Sequence, residues 1–150
     1  MQFSGKLLKR GFWLYVWDIK EDQTRRLYVG RTGDSSSPNA SSPFRRIGQH
    51  LDTRLKAKGN ALGRRLKEAG IDAEACTFEM IAIGPVFAEQ KSLAEHNPLR
   101  DKTAALERAL ADELKRRGYE VLGDHPRPGK PDPTLLEQLI QVVDDSFPAL

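Results

Sequence analysis

Apolar and polar residues alternate near the start of the chain with the period of a β-strand. Phe12 to Ile19 (FWLYVWDI) is rich in aromatic and β-branched residues and predicts a strand. Trp13, Tyr15 and Trp17 fall on one face, Leu14 and Val16 on the other. Lys20 to Arg25 is polar and turn-like. Arg26 to Val29 predicts a second strand, stopped at Gly30. In it Tyr28 points opposite to Leu27 and Val29. Two strands with a short polar link predict a hairpin. The register permitting, Tyr15 and Tyr28 then share one side of the sheet.

The pattern changes after a low-complexity loop, Asp34 to Ser42, which predicts an exposed and mobile segment. Ser42 as cap and Pro43 at the first helical position predict a helix from Pro43 to about Lys56. Its apolar stripe is Phe44, Ile47 and Leu51, and Arg46, His50 and Arg54 form a second stripe four apart. Ala61 to Ala69 predicts a short helix that buries Leu62 and Leu66 and ends at Gly70. Thr77 to Ile83 predicts a third strand. Residues 84–100 match no single pattern. Thr103 to Arg117 predicts a helix with Leu106, Leu110 and Leu114 as its core stripe, capped by Asp101 or Thr103 and ended by Gly118. The proline-rich stretch 126–133 predicts a stiff linker. Thr134 to Val143 predicts a last amphipathic helix opened by a Thr134–Glu137 capping box. Its stripe of Leu135, Leu136, Leu139, Ile140 and Val143 must dock on something. Residues 1–125 therefore read as one domain, and 126–150 as a linker with a C-terminal helix.

Charge sharpens this picture. The net charge is +3, but residues 1–75 carry 15 Lys/Arg against 8 Asp/Glu, and residues 76–150 carry 9 against 13. The densest basic stretch is Phe44 to Lys67, with one acid, Asp52. A one-sided positive field suits a polyanionic partner, and equally a solvated helical face. The longest mostly apolar run, Met80 to Ala88, is 9 residues, well short of the ~20 of a membrane helix. The N-terminus has no apolar core of a secretory leader. A single cysteine, Cys76, leaves no intrachain disulfide and too few thiols for a Cys-based metal site. A reducing, cytoplasmic setting without a membrane is expected. His96 and His125 read as ordinary surface histidines, and Cys76 as a packed small residue. Phosphate-loop, HExxH, CxxC and GxSxG motifs are absent from the sequence.

Candidate chemistry lies in a few side chains. Arg46 and His50 sit one turn apart; a guanidinium fork grips phosphate, and an imidazole beside it can exchange a proton with the same group. On the late helix Glu107 lies about 60° from the centre of the leucine stripe. Ala111, one turn on, leaves open space beside it. Glu113 occupies the opposite edge, and helix geometry alone does not choose between the two. A half-buried carboxylate beside small residues suits a divalent cation that keeps most of its waters.

Leu14-Tyr15, then Leu27-Tyr28-Val29-Gly30-Arg31-Thr32, then Phe44-Arg45-Arg46-Ile47-Gly48-Gln49-His50, then Leu106-Glu107 resemble, in order, the GIY-YIG nuclease superfamily over roughly residues 11–123. The resemblance implies an α+β fold with a small three-stranded antiparallel sheet flanked by helices. It implies a metal-dependent endonuclease that hydrolyses phosphodiester bonds in nucleic acid, DNA rather than RNA, with Mg²⁺ or Mn²⁺. Tyr15 and Tyr28 match the motif tyrosines, Arg46 the arginine, His50 the histidine and Glu107 the metal-binding glutamate. Arg31, Arg45, Arg54, Arg64, Arg65 and Lys67 are the expected nucleic-acid contacts. The first triad reads Trp13-Leu14-Tyr15 in place of Gly-Ile-Tyr. No asparagine follows the glutamate helix, where the family often has one; Glu120 and Asp124 are the candidate substitutes. The proton acceptor, a tyrosine or His50, stays open. So do two other readings. One is a catalytically silent nucleic-acid-binding module on the same fold. The other is an interaction protein. The chain would be a monomer, or a homodimer through the C-terminal helix.

Overall fold

The computed structural model describes residues 1–125 and 129–150. Its centre is a three-stranded antiparallel sheet made of β1 (Phe12–Glu21), β2 (Thr24–Arg31) and β3 (Thr77–Phe87), in the order β2-β1-β3. Four α-helices flank it: α1 (Pro43–His50), α2 (Ala61–Glu68), α3 (Leu93–Arg116) and α4 (Pro133–Asp144). The α+β fold class expected from the sequence is therefore present. No helix among the described residues is long and apolar enough to cross a membrane.

β1 is the middle strand and is buried continuously from Phe12 to Ile19, because both of its faces are covered. Alternation sorts its side chains into separate cores. Tyr15, Trp17 and Ile19 join Tyr28 under Leu62 and Leu66 of α2. Val16 joins Leu27 and Val29 under Leu110, Ala111 and Leu114 of α3, with Val143 and Phe147 from the C-terminal segment. Leu14 meets Leu106 and Leu139. The register pairs Tyr15 with Gly30 and Trp17 with Tyr28, so the two tyrosines are diagonal neighbours on one face, as the alternation predicts.

Several boundaries differ from expectation. β2 does not stop at Gly30 but runs through it to Arg31. Gly30 is needed there for space: a Cβ would sit 2.7 Å from Tyr15 Cζ and 2.8 Å from its hydroxyl oxygen. α1 ends at His50, well before Lys56. Asp52 competes with the helix, accepting from the Arg54 backbone N–H at 3.1 Å and pairing with its guanidinium at 2.6 Å. Arg54 thereby leaves the Arg46–His50 stripe. Phe44 is 39 % exposed and stacks on Phe3 rather than entering the core.

α3 begins ten residues earlier than Thr103. Ser92 caps it, accepting from the Glu95 N–H at 3.2 Å and donating to the Glu95 carboxylate at 3.1 Å. Pro98 lies in its second turn, and Asp101 and Thr103 are interior. Ala111 is filled by core and leaves no open space. α4 is capped by Asp132, not Thr134, with Pro133 at its first position. Part of the expected stiff linker, residues 126–128, lies outside the described residues. The 34–42 loop is anchored where it passes Glu89, which accepts from the Ala40 N–H at 2.7 Å.

The C-terminal stripe docks on the chain's own sheet. Leu139, Val143 and Phe147 are buried. Arg117 ties this segment to α3, donating to Asp144 at 2.6 Å, the Phe147 carbonyl at 2.8 Å and Glu113 at 2.8 Å.

His96 is no surface residue. It is fully buried, its ring centre 5.0 Å from that of Phe12 and its Nε2 3.0 Å from the Ser35 carbonyl. Pro98 hides the helix that carries it inward.

Candidate functional site

A cleft of about 300 Å³ opens on the tyrosine face, at the end of β1 and β2 near Gly30. Tyr15, Tyr28, Arg46, His50 and Glu107 all line it. Strand alternation supplies the phenols, the Ser42–Pro43 cap aims α1 at them, and α3 brings Glu107 across the sheet edge. Glu113 lies elsewhere on α3, bound to Arg116 and Arg117. The structure thus separates the two glutamates that helix geometry left equal.

Buried hydrogen bonds fix one wall. The Leu62 N–H lies 3.4 Å from His50 Nδ1, the Tyr15 hydroxyl 2.5 Å from His50 Nε2, and the same hydroxyl 3.1 Å from the Arg31 carbonyl. A backbone N–H directed at Nδ1 assigns the lone pair there. The neutral ring then carries its proton on Nε2 and donates to the Tyr15 hydroxyl, which donates to the Arg31 carbonyl. Burial, aided by the charge of Arg46, lowers the His50 pKa to about 3, so the ring is neutral near pH 7. Burial raises the Tyr15 pKa, against the opposing pull of Arg46. Burial and the negative charge of Glu107 push Tyr28 up to about 12. Both phenols are therefore protonated donors in this structure.

The opposite wall holds Glu107. Arg31, only 6 % exposed, donates from Nε to Glu107 Oε2 at 2.6 Å. Arg31 is thus a buried partner of the carboxylate and lines the cleft with it. Glu107 Oε1 accepts no hydrogen bond among the described residues. His125 Nε2 is 3.9 Å from it. Among the described residues no group of three or more His, Cys, Asp or Glu side chains is arranged to hold a metal ion. A hydrated Mg²⁺ needs only one or two protein carboxylates and keeps several waters. One open carboxylate oxygen in a polar cleft fits that requirement. Asp124 and Asp34 also line the cleft, and Asp34 lies 3.6 Å from Arg46. Glu120 instead pairs with Arg26 outside it, so Asp124 is the acid placed where a substitute for the asparagine could act.

His125 was not legible as a site residue. It was expected at the surface, yet its side chain is 7 % exposed and lines the cleft beside Tyr28. Backbone pairing puts it there. The Leu27 N–H donates to the Glu120 carbonyl and the Leu122 N–H to the Leu27 carbonyl, each at 2.8 Å. The chain after α3 is thereby laid along the outer edge of β2. Three buried nitrogens of cleft residues have no hydrogen-bond partner among the described residues: Arg31 Nη1, Arg46 Nε and His125 Nδ1.

The remaining basic residues do not enter the cleft. Arg45 is exposed on α1. Arg54, Arg64 and Lys67 line a larger neighbouring hollow of about 640 Å³, between α2 and residues 51–57, that contains none of the motif side chains. Arg65 pairs with Glu68 at 3.1 Å and packs beside Gly123. No protein-family model, curated protein or solved structure matches this chain.

Proposed function

We propose that this protein is an endonuclease of the GIY-YIG type that hydrolyses phosphodiester bonds in DNA with Mg²⁺ or Mn²⁺. The observation that carries the reading is the meeting of Tyr15, Tyr28, Arg46, His50 and Glu107, drawn from two strands and two helices, in one cleft. Hydrolysis of a phosphodiester needs an anion clamp, a positioned water and charge neutralisation. Arg46 lines the cleft and grips a non-bridging phosphate oxygen, its Nε having no hydrogen-bond partner among the described residues. Arg31 offers Nη1 to the same anion while holding Glu107 through Nε. Glu107 would hold the cation, which when bound neutralises the scissile phosphate and stabilises the departing oxygen. Tyr28 lines the cleft and donates to the water or the phosphate.

His50 serves as scaffold rather than base. Both of its ring nitrogens are occupied, and burial keeps the ring neutral. Tyr15 is held as a protonated donor. For Tyr28, forming a phenolate at pH 7 from a pKa of about 12 costs about 7 kcal/mol, so it orients rather than deprotonates. A monomer in a reducing, cytoplasmic setting accords with the docked α4 and the lone packed Cys76.

Supercoiled plasmid, and separately RNA, incubated with the protein and Mg²⁺ or Mn²⁺, with and without chelator, tests the reading. Metal-dependent cleavage of DNA is expected, with loss of at least ~10²-fold in Glu107→Gln and Arg46→Ala proteins whose circular dichroism is unchanged. Cleavage that persists in both folded variants refutes the site. The tight Arg31–Glu107 pair favours one rival, a silent nucleic-acid-binding module. In that case binding is lost in Arg46→Ala and the wild type cuts nothing.

A further inference from the structure

The arginines of the cleft are donors, and His50 has spent its lone pair on the Leu62 N–H. The carboxylates that line it are Asp34, 3.6 Å from Arg46, Glu107, which accepts from Arg31, and Asp124. A water that attacks phosphorus must also be oriented by something that accepts from it.

His125 has the required form. Its Nε2 lies 3.0 Å from the Val29 carbonyl, which only accepts, so the Nε2 position carries the proton. In the neutral ring the lone pair is then on Nδ1. That nitrogen is buried and has no partner among the described residues. Ligating and water-binding imidazoles are commonly fixed in this manner, by donation of the other ring N–H to a backbone carbonyl. Val29 holds Nε2, the centre of the Tyr28 ring lies 6.5 Å from that of His125, and Glu107 Oε1 is 3.9 Å from Nε2. Its backbone is held as firmly, because residues 120–122 are bonded to Leu27 of β2. Gly123 contributes by its φ of +86° and by the proximity of Arg65, whose Nε would lie 3.3 Å from a Cβ at that position. An unpartnered acceptor on a ring that lines the cleft matches a donor brought by a ligand.

We propose that His125 is a further residue of the site, and that its Nδ1 accepts a hydrogen bond from the attacking water. The proposal rests on the phosphodiesterase reading and adds a neutral acceptor to the carboxylates of the cleft.

Two amide substitutions separate this role from a structural one. The Asn Oδ1 lies as many bonds from the backbone as imidazole Nδ1, and the Gln Nε2 as many as imidazole Nε2. His125→Asn keeps the acceptor and gives up the brace to Val29. His125→Gln keeps the brace and gives up the acceptor. Plasmid cleavage with Mg²⁺ is expected to fall on the order of 10²-fold in His125→Gln with half-saturation unchanged, and about 10-fold less than that in His125→Asn, which loses the brace but keeps the acceptor. A Gln variant at wild-type rate, or an Asn variant that falls as far as Gln, overturns the proposal. A second readout does not need cleavage. Long-range ¹H–¹⁵N spectra of histidine-labelled protein should show His125 protonated on Nε2 with a bare Nδ1. That Nδ1 resonance should move when Mg²⁺ and inorganic phosphate are added, while those of His96 stay fixed. A protonated Nδ1, or one that does not respond, overturns the role of His125 even if the wild type cuts DNA. If the wild type cuts no nucleic acid while Nδ1 responds, the reaction assignment fails and the His125 ligand contact stands.

Discussion

Replacing His50 by glutamine perturbs one proton site and one hydrogen-bonded relay. In the folded protein the imidazole is 1 % exposed and its pKa is about 3; in the unfolded chain it returns to about 6.5. Above pH 6.5 both states are neutral and His50 contributes no pH dependence. Between pH 6.5 and 3 only the unfolded chain binds the proton, so acid favours unfolding. The slope is about 1.4 kcal/mol per pH unit. From pH 7 to pH 4.5 the wild type should therefore lose about 2–3 kcal/mol through this residue. Glutamine cannot titrate. It can donate to Tyr15 in place of Nε2, but it leaves the Leu62 N–H without its acceptor, costing about 1–3 kcal/mol at neutral pH. The two stability curves should then converge on acidification and meet near pH 5. Urea unfolding followed by tryptophan fluorescence from pH 8 to pH 4 measures both. Curves that run parallel through this range would mean that His50 takes up a proton in the fold, and the neutral relay would be wrong. The same reasoning predicts that no limb near pH 6–7 in a cleavage profile disappears in His50→Gln.

Other substitutions report on separate parts of the structure. Gly30→Ala drives a methyl group into the Tyr15 ring and should cost about 1–3 kcal/mol in chemical denaturation. Phe147→Ala empties a fully buried site beneath the sheet and should cost about 3–5 kcal/mol, with cleavage unchanged well below the melting temperature. Glu113 is held at about 2 by hydrogen bonds from Arg116 and Arg117. Its depressed pKa stabilises the fold above pH 4.5, and that contribution is lost as pH falls toward 2. Thermal melts of Glu113→Gln should accordingly show a smaller acid-induced drop across that window.

The parts of this molecule legible from sequence are those set by period and by strong local signals. Alternation in FWLYVWDI placed Tyr15 opposite Leu14 and Val16. Ser42-Pro43 marked the start of α1, and the leucine spacing of α3 marked its buried side. Boundaries failed where two local preferences compete. Asp52 offers Arg54 a turn that ends α1 early, and Pro98 reads as a break inside a helix that continues past it. The pairing of Arg31 with Glu107 and the place of His125 in the cleft went unread because they depend on contacts far apart in the chain. Arg31 and Glu107 are 76 residues apart, and His125 is 96 residues from the carbonyl that holds it. Neither separation leaves any periodic trace.

The position of β1 in the middle of the sheet gives the molecule two sides with different tolerances for change. One side of the strand builds the wall of the cleft, and the other rests on the leucines of α3 and the closing segment 139–147. A protein engineer could therefore reinforce the buttress, for example at the half-exposed Val142, and raise heat resistance while the cleft wall stays as it is. The converse does not hold. Tyr15 fills the space above Gly30 and anchors His50, so altering the wall for a new substrate would draw on the same reserve of stability that the buttress supplies.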